Sequence, residues 1–133
     1  MKKKVFIISI LIVTIILITY VLKINSQSDV LVSFYNETSI NIEKLNIKFS
    51  NELNMTTVPT IDPNKKNSFK LNPNENFTEG SVKLVYYDVD GEEHQETVIG
   101  YVEKGQSVHS KVYIKSIDNK GVIEFSIKEG WFP

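Results

Sequence analysis

The chain has 133 residues, 41% hydrophobic and 23% charged, which leaves room for one apolar segment and one domain of about a hundred residues. The first 28 residues hold four lysines and no acid, whereas the rest hold eleven lysines against all 16 acids, a formal charge of −5 that excludes nucleic-acid binding, since phosphates need clustered Lys or Arg. Cysteine is absent, which excludes disulfides, thiolate metal sites, a cysteine nucleophile and lipidation of an N-terminal cysteine.

All 15 basic residues are lysine, and Ile and Asn are frequent, a usage expected of AT-rich bacterial coding. Residues 1–4 read as a cytoplasmic tail, 5–24 as a transmembrane helix, 25–29 as a linker and 30–133 as an extracytoplasmic domain. From Val5 to Leu22 run 18 uncharged residues, about 27 Å as a helix and near the thickness of the hydrocarbon core. The run has no polar face, unlike a helix of a soluble core. Lys2, Lys3 and Lys4 on one flank against Lys23 on the other put the N-terminus in the cytoplasm. Secretory signal cores are usually shorter, about 7–15 residues, and the best cleavage position, after Ile24-Asn25-Ser26, has Ile where a small residue is preferred. The expectation is a retained single-pass anchor. The alternative is a secreted domain beginning at Gln27.

Beyond Ser28 the pattern changes to period two. Val30, Val32 and Phe34 share a face, and Leu45, Ile47 and Phe49 alternate strictly with Asn46, Lys48 and Ser50, the signature of strands with one wet side. Thr56 to Ile61 reads as an edge strand because Pro59 lacks a donor. Phe69 and Leu71 make a short strand between the loops at 62–67 and 72–76. Val82 to Tyr87 is followed by Asp90-Gly91, a pair suited to a two-residue hairpin turn with positive φ at both positions, and Thr97 to Val102 returns. Val108 to Ile117 and Ile123 to Ile127 complete a four-stranded meander. Seven or eight strands with frequent turns predict an all-β, antiparallel immunoglobulin-like sandwich, with a small barrel as the other architecture.

The strand ending Phe34-Tyr35-Asn36, the segment Ile42 to Phe49, and Leu84-Val85-Tyr86-Tyr87-Asp88-Val89-Asp90-Gly91 give the chain a resemblance to small membrane-anchored extracytoplasmic immunoglobulin-like proteins of Gram-positive bacteria, including domains of the FxLYD type. The resemblance spans most of residues 30 to 129 and implies location and fold. It carries no site residues.

Asp88, Asp90 and Glu92 are the metal candidates, because carboxylates at alternate positions can face one hard ion. An EF-hand needs Gly at its sixth position and Glu at its twelfth. Counted from Asp88, the Gly falls fourth and Ile99 falls twelfth, so a solvated hairpin tip accounts for the residues. His94 and His109 lie on different predicted strands and would need carboxylates to complete a zinc site. No local motif marks a Ser-His-Asp triad, and the expectation is a protein that is not an enzyme and holds no cofactor. Phe34, Phe49, Phe69, Tyr86 and Phe125 fall on inward faces. Tyr35, Tyr87 and Tyr113 point outward, either as cross-strand partners or as an interaction platform. Trp131 and Phe132 either fold back on the domain or reach lipid or a partner. The expected role is a non-catalytic interaction module of the bacterial cell envelope with an unknown protein partner. The alternatives are a signal-cleaved metal-binding protein or enzyme, and an immunity-type protective protein.

Overall fold

The computed structural model describes the backbone of residues 2–25 and 29–131 and the side chains of residues 8–22 and 29–130. Helix α1 (Lys2–Asn25) is followed by β1 (Asp29–Asn36), β2 (Asn46–Phe49), β3 (Thr56–Thr57), β4 (Lys66–Leu71), β5 (Glu79–Tyr87), β6 (Glu93–Glu103), β7 (Ser107–Ile117) and β8 (Ile123–Trp131). Among the described residues no helix is long and apolar enough to cross a membrane, so the crossing expected of Val5 to Leu22 is not shown. The helix satisfies its own hydroxyls: Thr14 Oγ1 donates to the Ile10 carbonyl (2.9 Å) and Thr19 Oγ1 to that of Ile16 (2.9 Å).

The strands form two four-stranded sheets, in the orders β4-β1-β7-β8 and β3-β2-β5-β6. Alternation decides which side of each strand is buried. Val30, Val32 and Phe34 from β1, Ile47 and Phe49 from β2, Val82, Leu84 and Tyr86 from β5, and Val108, Val112 and Ile114 from β7 meet in one core between the sheets. Phe69 and Phe125 pack at its margin. Phe77, outside any strand, is also buried and stands 4.7 Å from Phe49, ring to ring.

Three expectations are corrected. The arrangement is not wholly antiparallel, because β1 pairs with β7 in parallel from Asp29↔Ser107 to Asn36↔Ile114. The meander is split: β5–β6 and β7–β8 are hairpins in different sheets. The turn between them, tightened by Gly105 at φ +84°, hands its remaining backbone groups elsewhere, Lys104 N–H to Thr78 and the Gln106 carbonyl to Asp29. This crossing lets Val98, Ile99 and Val102 of β6 and the apolar residues of β7 both enter the core. Finally, the Thr56 to Ile61 strand shrinks to Thr56–Thr57, with Ile61 bridging Ile42.

The Asp90-Gly91 turn also differs from expectation. Positive φ occurs at Gly91 (+82°) but not at Asp90, so the turn is of type I closed by a left-handed glycine rather than the two-residue mirror-image form. Asp88 explains the choice: its Oδ1 accepts from the N–H groups of Asp90 and Glu92, each at 2.9 Å. Asp118 repeats the device with Lys120 and Val122 before Gly121.

At the other end of β1, the buried Asn36 ties two loops to the sheet. Its Nδ2 lies 2.8 Å from the Ile40 carbonyl and 2.9 Å from that of Ile61, and its Oδ1 accepts from Thr38 N–H and Oγ1.

Candidate functional site

The outward tyrosines of the two sheets meet opposite charges. On the β4-β1-β7-β8 sheet the register sets Lys66, Tyr35, Tyr113 and Ser126 in one row, and Ser68, Ser33, Lys111 and Lys128 in the next. Tyr35 and Tyr113 stack with centroids 4.7 Å apart and planes 15° apart. Lys66 Nζ lies 5.3 Å from the Tyr35 centroid, and Lys115 and Lys128 lie 5.2 and 5.5 Å from that of Tyr113, within cation–π range. Of the outward tyrosines, these two are cross-strand partners.

On the opposite sheet the tyrosines meet carboxylates. Tyr87 donates to Glu93 Oε2 at 2.7 Å, and the Tyr101 hydroxyl lies 2.7 Å from Glu79 Oε2 and 2.6 Å from Glu103 Oε1. Both phenols are held above the ordinary tyrosine pKa, Tyr87 chiefly by its bond to Glu93 and Tyr101 by its bonds to Glu103 and then Glu79. Trp131 contributes its backbone to β8, opposite Val108. The Trp131 side chain and Phe132 lie outside the described residues.

Of the metal candidates, Asp88 and Glu92 are brought together with His94, their ligand atoms all within 4.8 Å of one another. Asp90 is not part of that group. A turn that curls over the Asp88 carboxylate brings Glu92 back, and the cross-strand pair Tyr86↔His94 supplies the imidazole, stacked on Tyr86 at 5.0 Å. Asp88 Oδ2 lies 3.1 Å from His94 Nε2, and the Asp88 side chain is 5% exposed. His94 and the backbone N–H of Glu92 hold Asp88 below the usual carboxylate range. Both Asp88 oxygens are therefore already engaged by the protein, and a cation would have to displace the proton shared with His94. His109 belongs to the other sheet, so the two histidines do not meet in one site.

One pairing is absent from the sequence reading. Ser33 Oγ lies 2.9 Å from both His109 Nε2 and Ser68 Oγ. The imidazole is held below the ordinary histidine range by burial and then by the charges of Lys111 and Lys66. Ser33 is fully buried, and its contacts join β1 to β4 and to β7. Seventy-six positions separate Ser33 from His109, and no local pattern announces the contact.

No family model matches the chain, and no curated protein matches it. Among solved structures it is similar to one described as "NMR structure of the protein from Eubacterium rectale", with 16% identity over 77% of this chain and 90% of that chain and a TM-score of 0.47.

Proposed function

We propose that the protein is a non-catalytic contact module of the bacterial cell envelope, held at the outer face of the membrane by its N-terminal helix, with an immunoglobulin-like domain as the binding part. One observation carries the reading. From Ile8 to Leu22 the large apolar side chains of α1 are 51–64% exposed, an apolar surface with no polar side that needs lipid or a partner to cover it. The lysine trio before it and the single lysine after it give the orientation.

The immunoglobulin-like assignment draws on the β1–β4 ladder facing the β2–β5–β6 ladder, which corresponds to the B–E and C–F–G pairings of that fold. The β7–β8 hairpin, joined to β1 in parallel, departs from it. The resemblance to FxLYD-type proteins belongs to the same reading, as does an unidentified protein partner.

Mass spectrometry of the N-terminus of the chain purified from membranes tests the anchor. The expected mass includes the helix, and a chain starting at Gln27 would contradict it. A second reading, a secreted metal-binding protein, is favoured by the Asp88, Glu92 and His94 grouping. Zinc or calcium titration followed by melting temperature decides it, a rise abolished by His94→Gln being the supporting result.

A further inference from the structure

We propose that the outer face of the β4-β1-β7-β8 sheet docks flat on a leaflet of anionic lipid headgroups. The proposal deepens the membrane-held reading above and rests on it. Charge is the first argument. The face carries Lys66 and Lys70 on β4, Lys111 and Lys115 on β7, and Lys128 on β8, in a domain whose acids outnumber its lysines. Its acids sit at the margins: Asp29 pairs with Lys70, Glu37 with Lys115, and Glu124 accepts from Ser116. Lys66, Lys111 and Lys128 have no ion-pair partner among the described residues.

The kind of occupant follows from the tyrosines. Each ring of the Tyr35–Tyr113 stack has one face on the other ring, with Lys66 over Tyr35 and Lys115 and Lys128 over Tyr113. The stack offers no platform for a sugar or a base, so recognition falls to the ammonium groups. Lysine is a compact point charge without the fork of arginine, suited to a field of phosphates more than to one oriented carboxylate.

Shape and tether point to a surface. With strands about 4.8 Å apart and residues about 3.3 Å apart, the lysines cover a plane roughly 15 by 20 Å, spread over three of the four strands. A thread-like polyanion is better matched by a stripe or groove. Strand β1 begins at Asp29, four positions after the last residue of α1, a reach of at most about 14 Å. The sheet that carries the lysines is thus the one sewn directly to the helix. Each lysine within about 8–10 Å of an anionic leaflet strengthens attraction about fivefold. The depressed basicity of His109 comes first from burial and then from the charges of Lys111 and Lys66 on this face.

The test is amine acylation of the full-length chain in phosphatidylcholine vesicles, with and without phosphatidylglycerol, read lysine by lysine by mass spectrometry. Lys66, Lys111 and Lys128 are expected to react at least about fivefold more slowly on anionic vesicles, with Lys48 and Lys83 of the opposite sheet unchanged and the protection lost at high salt. In the triple variant Lys66→Gln, Lys111→Gln, Lys128→Gln, the remaining Lys70 and Lys115 are expected to react at the neutral-lipid rate. Equal rates on both vesicles, with the chain resisting alkaline carbonate, overturn docking and leave the anchor standing. If carbonate strips the chain from both vesicles, the anchor reading falls. Docking then survives only if the chain sediments with anionic vesicles and the triple variant does not. Protection by soluble polyglutamate, with none from anionic lipid, assigns the face to an acidic protein and overturns the proposal.

Discussion

The backbone N–H of Val89 donates to the carbonyl of Lys120 over 2.9 Å, joining the tips of two hairpins that belong to different sheets. Both tips are type I turns, with Gly91 N–H bonded to the Asp88 carbonyl and Gly121 N–H to that of Asp118, so Val89 and Asn119 occupy the second turn position, where proline fits. Asn119→Pro is expected to be neutral or to stabilise by about 0.4–1 kcal/mol by restricting the unfolded chain. Val89→Pro fits its turn equally well but deletes the bond between the tips, and is expected to be about 1 kcal/mol less stable than Asn119→Pro. Thermal unfolding of both compares them directly, and equal melting temperatures would deny the tip bond a role.

Asp88 contributes to the acid side of the stability profile. His94 and the Glu92 N–H depress its pKa below the ordinary value of 3.8. The ionised carboxylate therefore stabilises the fold above that unfolded value, and the contribution is lost as pH falls through the lower folded one. Asp88→Asn keeps an oxygen for the N–H groups of Asp90 and Glu92, removes the charge and turns the acceptor facing His94 into an amide donor. Its melting temperature is expected to lie below wild type at pH 7 and to converge with it in strong acid. A constant offset at every pH would locate the effect elsewhere.

Tyr101 does the converse on the alkaline side. Glu79 and Glu103 face each other in the β5–β6 register, a like-charge pair that destabilises a sheet unless something is shared between them, and the Tyr101 hydroxyl is what they share. Its pKa is raised above 10.0, so its contribution is present below that value and lost as pH rises through the folded one. Tyr101→Phe is expected to melt lower than wild type near neutrality and to fall less steeply above pH 10. Identical neutral melting temperatures would show the bridge to be idle.

Phe77 closes the core beside Phe49 although it lies outside any strand. Phe77→Ala is expected to cost about 3–5 kcal/mol in chemical denaturation, while Phe77→Leu, which keeps most of the volume, is expected to cost less than about 1.5 kcal/mol. A loss under about 1 kcal/mol for the alanine variant would mean that this end of the core is not packed as described.

What sequence conveyed well was local. Strict alternation at Leu45, Ile47 and Phe49 identified the buried face of that strand, because a period of two leaves little freedom once one face is apolar. What it conveyed poorly depends on long-range pairing. The parallel seating of β1 on β7, the Ser33–His109 contact and the division of the last four strands between two sheets are set by how the core closes. Phe77 follows an Asn- and Pro-rich loop, and its burial comes from packing on Phe49 and not from any periodicity. At the candidate site, sequence offered Asp88, Asp90 and Glu92, and the fold groups Asp88 and Glu92 without Asp90. His94 joined them because the turn takes three residues between Asp88 and Glu92, an arrangement held by the side chain of Asp88 and not by the Asp-Gly dipeptide alone.

Alkaline carbonate extraction of membranes from cells producing the full chain tests the central claim most directly. The account predicts that the intact protein stays in the pellet with its domain open to protease from outside. Full release into the supernatant, or a domain protected from external protease in sealed cells, would contradict it.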